Sequence, residues 1–102
     1  MKSILYLTLK KPQFQVTSIG EKKTEYRRHS AWIKSRLENR NYDVVKFVNG
    51  YGSDKPYFIV QFLGYQIETK SHTIKYSNGL TVNVTKGDYS ITLGEIVEKG
   101  NI

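Results

Sequence analysis

The sequence predicts a single domain of the α+β class that is mainly β: a small β-barrel with two short helices near the N-terminus. Short segments rich in β-branched and aromatic residues follow one another and are separated by turns that contain glycine. Patterns of helical length occur only within the first 40 residues. The chain has 102 residues, enough for one domain and too few for two, so we treat residues 1–102 as a single unit.

The first elements are predicted to be a strand and a two-turn helix. From Ser3 to Leu9 the chain alternates, which places its three leucines on one strongly apolar face of a half-buried strand. The amphipathic run from Pro12 to Ile19 has the length of a short helix. Proline suits the first turn of a helix, and Gly20 suits the left-handed position just past its end.

The charged segment from Gly20 to Arg27 is the most informative part of the chain. Residues 23–27 have an extended pattern, which would place Glu25 and Arg27 on one face and Thr24 and Tyr26 on the other. Opposite charges on one face of a strand form either a structural ion pair or the floor of a binding site. The sequence leaves both readings open.

A second helix is predicted over residues 31–38. Ser30 is a good N-cap, and the polar run Asn39-Arg40-Asn41 ends the helical pattern. Ile33 and Leu37 are four residues apart and should face the core. Trp32 and Arg36 have the same spacing on an adjacent face, close enough to stack.

The rest of the chain has the composition of strands and turns, with strands predicted at residues 42–48, 57–63, 73–76, 80–85 and 89–97. Asn78-Gly79 between two of these segments is a strong signal for a tight hairpin. Gly94 interrupts the alternation of the last strand, which predicts a bulge or a barrel corner. Residues 49–56 form a loop longer than a tight hairpin needs, and such loops often carry binding groups.

Composition narrows the classes of function. The chain has no cysteine, which excludes disulfides, thiolate metal sites and cysteine nucleophiles. Its two histidines, His29 and His72, are too far apart in sequence to suggest a metal site. We therefore expect no metal and no cofactor. We find no apolar run of membrane-spanning length and no signal-peptide pattern, and so expect a cytoplasmic protein without a membrane partner.

The net charge predicts a polyanionic partner. The net charge is +7 and the sequence pI is near 9.6. Among polyanions, nucleic acid is the partner that this charge favours most. Most of the basic excess lies in the first 40 residues, at Lys10, Lys11, Lys22, Lys23, Arg27, Arg28, Lys34, Arg36 and Arg40. Tyrosine and tryptophan rings provide faces on which bases can stack.

The charged segment also carries a family resemblance. Gly20-x-Lys22-x-x-x-x-Arg27 resembles the signature of the ASCH domain, a small β-barrel of the PUA-like superfamily associated with RNA and modified nucleosides. Leu5 to Lys11 resembles the opening strand of that family, Tyr42 to Tyr51 a strand and turn of one of its branches, and Ile91 to Ile96 its closing strand. The resemblance implies a PUA-like (ASCH) barrel with an RNA- or nucleotide-related role.

We therefore expect a binding module for RNA or a modified nucleoside or nucleotide, with a basic cleft beside the charged segment. Lys22 would hold a phosphate, Glu25 would accept from an exocyclic amine, and Arg27 would form a forked pair with a phosphate or carbonyl edge. The predicted ligand-binding residues are Lys22, Glu25, Arg27, Trp32, Arg36, Asn49 and Tyr51.

Two other functions stay open. The ASCH resemblance also implies a small amidohydrolase acting on an acylated nucleoside such as N4-acetylcytidine, since bacterial N4-acetylcytidine amidohydrolases look like enzymatic members of that family. In those enzymes the motif lysine acts with a threonine three residues later and a distant glutamate. Here Lys22 matches, but the later position is Glu25 and the distant glutamate has no counterpart. If the protein is an enzyme of this kind, Lys22 and Glu25 are the catalytic candidates. The third function is that of an interaction protein whose basic face docks an acidic protein partner.

Overall fold

The computed structural model describes residues 3–50 and 54–102 and contains two helices and seven strands there. The helices are α1 (Lys11–Ser18) and α2 (Ala31–Leu37). The strands are β1 (Ile4–Leu9), β2 (Thr24–Arg27), β3 (Val44–Asn49), β4 (Tyr57–Ile67), β5 (His72–Lys75), β6 (Thr81–Val84) and β7 (Tyr89–Gly100). Strands make up 48% and helices 15%, so the predicted mainly β, α+β class is confirmed.

Five strands form one curled sheet in the order β1-β3-β4-β7-β2, and β5 and β6 form a separate hairpin. All pairs are antiparallel except β1 with β3. The sheet curls into a half-barrel around a core that includes Leu7, Phe47, Phe58 and Ile91. We call the gap between its two edge strands, β1 and β2, the seam.

The first helix and the turn after it follow the prediction closely. α1 begins one residue before Pro12 and ends at Ser18, and Gly20 has a φ of +83°. The left-handed backbone at this glycine ends the helix and redirects the chain into β2. The extended segment is confirmed, and β2 pairs with the start of β7.

The second helix is also confirmed. The Ser30 side chain accepts a hydrogen bond from the Ile33 amide, and Ile33 and Leu37 are buried in the core. The other face of α2 carries Trp32, which is 50% exposed, and the Arg36 guanidinium lies 5.2 Å from the centre of the Trp32 ring. α2 thus presents an aromatic and a cationic side chain next to β1.

β4 and β7 run further than their sequence patterns predict. The predicted strand over residues 57–63 continues past its expected end, because Gly64, with a φ of +109°, forms a bulge after which Tyr65 pairs with Ile91. The predicted bulge at Gly94 is confirmed, because β7 has an extra residue between the partners of Val60 and Phe62. These bulges increase the bend of the two longest strands, which favours curling of the sheet.

One partly buried hydrogen bond connects the end of α2 to the sheet. The Tyr89 hydroxyl at the start of β7 donates to Glu38 Oε2, just past α2. This bond, with burial as the second cause, raises the pKa of Tyr89 from about 10 to about 12. The contact helps to hold α2, and with it Trp32, in place.

The raised pKa predicts a loss of stability at high pH. The protonated phenol is favoured in the folded protein, so its contribution is complete below pH 10 and is lost as the pH rises from 10 to 12. We expect the urea midpoint of the natural chain to fall more steeply over this window than that of Tyr89→Phe, which has no phenol to ionise. Equal slopes in the two proteins would contradict the assignment.

Candidate functional site

The predicted charged segment forms a compact ion-pair network. Lys22 Nζ lies 2.7 Å from Glu25 Oε1 and also donates to the Thr24 carbonyl, while Arg27 Nε lies 2.8 Å from Glu25 Oε2. The predicted shared face of Glu25 and Arg27 is therefore confirmed. Each carboxylate oxygen has one cationic partner, which is the arrangement that permits burial of a charge.

The three side chains of this network differ in their exposure to solvent. The side chains of Lys22 and Glu25 are 0% and 3% exposed, whereas that of Arg27 is 26% exposed. All three side chains were expected to contact a ligand in a basic cleft, but only Arg27 is accessible, while Lys22 and Glu25 lie beneath it. Lys22 folds under β2, with Nζ 5.8 Å from the Tyr26 ring centre. Strand alternation does not predict this, because Lys22 precedes the strand and only the folded chain provides the partners that compensate its burial.

Arg27 joins the two edges of the sheet and lines a cavity at the seam. Its Nη2 donates to the Thr8 carbonyl of β1 over 2.9 Å. Beside this bond lies a cavity of ≈590 Å³, which we call the seam cavity. Its lining residues come from β1, α1, β2, α2 and the end of β3: Tyr6, Leu7, Thr8, Leu9, Lys10, Lys11, Arg27, Trp32, Asn49 and Gly50.

A smaller cavity adjoins the seam cavity along α2. It has a volume of ≈310 Å³, and we call it the α2 cavity. Its lining residues are Ile4, Leu5, Tyr6, Trp32, Arg36, Arg40 and Tyr42. Tyr6 and Trp32 line both cavities, so the two form neighbouring compartments on either side of shared aromatic residues.

The charge around the two cavities is of one sign. Lys10, Lys11 and Arg27 line the seam cavity, and Arg36 and Arg40 line the α2 cavity. Among the described residues, no aspartate or glutamate lines either of them. The two other described cavities have mixed charge, since Glu95 and Asp88 line them together with basic residues.

The predicted binding residues thus fall into three groups. The seam cavity is lined by three of them, Arg27, Trp32 and Asn49. Arg36 lines the adjoining α2 cavity. Lys22 and Glu25 lie underneath, and Tyr51 lies outside the described residues.

Several lining residues were not predicted as site residues from the sequence, among them Tyr6, Thr8 and Gly50. Lys10, Lys11 and Arg40 were predicted only as part of the basic excess. Tyr6 and Thr8 were visible as the less apolar face of the first strand. Their position at the site follows from β1 being an edge strand opposite β2, which is a property of the sheet order and not of the local pattern.

Residues 3–50 and 54–102 contain no cluster of three or more histidine, aspartate or glutamate side chains with the geometry to hold a metal ion. Within the same ranges, neither helix has the length and apolar character needed to cross a bilayer.

Comparison with known proteins gives no relative: the chain matches no protein-family model, no curated protein and no solved structure.

Proposed function

We propose that the protein is a binding module of the ASCH type that recognises RNA or a modified nucleotide in the seam cavity. The observation that carries the proposal is the convergence of Arg27, Trp32 and Asn49, from three separate segments, on one cavity whose described lining includes no acidic residue. Cationic, aromatic and amide groups in one concave site are the combination that phosphates and bases require.

Each side chain has a distinct role in this proposal. Half-exposed Trp32 provides a flat face for stacking on a base. The hydrogen bonds of Arg27 to described residues use two of its five N–H donors, which leaves donors for a phosphate or a carbonyl edge. The Asn49 amide can pair with a base edge. Lys10 and Lys11, both exposed at the rim, can neutralise phosphates.

Lys22 and Glu25 have an indirect role here: they position Arg27. The Glu25 carboxylate holds Arg27 Nε at 2.8 Å, and buried Lys22 holds the other carboxylate oxygen at 2.7 Å. An arginine fixed in this way loses little side-chain entropy when it binds an anion. The Arg27 guanidinium is therefore already oriented in the unliganded protein.

The geometry gives less support to the amidohydrolase alternative. A general base or nucleophile must reach the substrate, but Lys22 Nζ is covered and donates to both Glu25 and the Thr24 carbonyl. Glu95 lines one cavity together with Lys22, but the Lys22 ammonium donates to Glu25 and not to Glu95. We therefore propose binding without catalysis.

The test uses the tryptophan as a local reporter, because Trp32 is the only tryptophan in the chain. We expect an unstructured RNA octamer to change Trp32 fluorescence, with micromolar affinity as an order of magnitude at physiological salt. The logarithm of affinity should fall linearly with the logarithm of salt concentration. Lys10→Ala/Lys11→Ala should weaken binding and flatten that slope by roughly 1.4, the value for two phosphate contacts on a single strand.

The matched control is Lys70→Ala/Lys75→Ala, which removes the same charge from exposed positions outside both cavities. This variant should bind nearly as well as the natural chain. Polyglutamate should bind more weakly than RNA, since it offers charge without bases. Absence of RNA binding at low salt would overturn the proposal, and tighter binding of polyglutamate would instead favour an acidic protein partner.

A further inference from the structure

We infer that the ligand is a single strand of at least two nucleotides that crosses Trp32, with one part in the seam cavity and the next in the α2 cavity. This inference rests on the proposed function and specifies its ligand. A free nucleoside or mononucleotide would occupy only one of the two compartments.

Two exposed aromatic side chains form a wall that the two cavities share. Trp32 and Tyr6 line both cavities, and they are 50% and 62% exposed. Exposed aromatic rings between two adjoining compartments give successive bases a stacking surface. The Arg36 guanidinium, 5.2 Å from the Trp32 ring centre, adds a cation at the point where a strand would pass from one compartment to the other.

Lys10 and Lys11 in one cavity and Arg36 and Arg40 in the other form a basic track that is too long for one phosphate. Lys10 and Lys11 follow the C-terminal end of β1, while Arg36 and Arg40 share the α2 cavity with Ile4 at its N-terminal end. β1 has six residues, so its ends are about 17 Å apart at ~3.3 Å per residue. That span is about five times the 3.4 Å rise per nucleotide of a stacked strand. One phosphate cannot reach both groups, whereas a short oligonucleotide can.

The edge of β1 that faces the seam also favours a single strand over a duplex. The Thr8 carbonyl accepts from Arg27 across the seam and so points away from β3. Backbone polar groups alternate in direction along a strand, and the N–H and C=O of Tyr6 therefore point the same way. No strand of the described residues pairs with that edge. It offers donors and acceptors to the edges of unpaired bases, which a duplex would keep occupied.

The experiment compares ligands of different lengths and then removes the two arginines of the α2 cavity, Arg36 and Arg40. Affinities are measured through Trp32 fluorescence for uridine monophosphate, the dinucleotide UpU, a U8 strand and an RNA duplex of eight base pairs. We expect U8 to bind at least tenfold more tightly than the mononucleotide, and the duplex to bind more weakly than U8. The same titrations are repeated with Arg36→Ala/Arg40→Ala, and Lys70→Ala/Lys75→Ala is again the charge-matched control.

The affinity of the double arginine variant for U8 should be lower than that of the natural chain by tenfold or more. Its affinity for the mononucleotide should change by less than twofold. Both arginines are exposed, and thermal unfolding verifies that the variant is folded. If U8 and the mononucleotide bind equally, or if the variant binds U8 normally, the inference fails while the proposed function stands. Duplex binding as tight as that of U8 overturns its single-strand part. If none of the four ligands binds, the proposed function itself fails.

Discussion

Replacing Lys22 by alanine is expected to lower the free energy of unfolding by about 3–5 kcal/mol, the cost of removing one partner from a buried ion pair. The side chains of Lys22 and Glu25 are 0% and 3% exposed, and Nζ lies 2.7 Å from the carboxylate. Without the ammonium group, Glu25 would keep a charge in a buried site with Arg27 as its remaining cationic partner. Urea denaturation followed by circular dichroism measures the loss.

The control for this variant is its neighbour. Lys23→Ala removes an exposed lysine next to the network and should change stability by less than about 0.5 kcal/mol. The double variant Lys22→Met/Glu25→Gln removes both charges at similar volume and should be more stable than Lys22→Ala alone, because no buried carboxylate is left without its lysine partner. A loss of under 1 kcal/mol in Lys22→Ala would show that the ion pair is not buried in solution.

Trp32→Ala is expected to weaken RNA binding by about 1–3 kcal/mol, the usual contribution of one base stacked on an aromatic side chain. This corresponds to a loss of roughly 5- to 150-fold in affinity. Trp32 is half exposed on α2, and the core contacts of that helix come from Ile33 and Leu37, so stability should change much less than binding. Because the variant has no tryptophan, the measurement is fluorescence anisotropy of a labelled RNA.

Two further variants separate stacking from general loss of apolar surface. Trp32→Phe keeps a ring and should recover most of the affinity. Val97→Ala shortens a side chain on β7 that is also about half exposed, at 49%, and it should bind like the natural chain. Equal RNA affinity of Trp32→Ala and the natural chain would remove Trp32 from the site, and with it the continuous track over α2.

Local features of this protein were predictable from the sequence because they depend on neighbouring residues. Gly20 ends α1 in the left-handed conformation, Ser30 caps α2, and Asn78-Gly79 turns the β5–β6 hairpin. Each follows from backbone sterics or from a hydrogen bond within a few positions. The pairing of Glu25 with Arg27 was also predictable, since alternation along an extended segment places them on one face.

The tertiary structure decided which of these residues is accessible and what faces them. β1 is an edge strand because β3, far along the chain, pairs on its other side, and the curl of the sheet brings Thr8 to Arg27. That arrangement brings Tyr6, Lys10 and Lys11 to the site, and no local pattern contains it. The burial of Lys22 likewise depends on the tertiary structure and not on its sequence neighbours. A lysine leaves water only where the fold supplies compensating partners, and these depend on the packing of the whole domain.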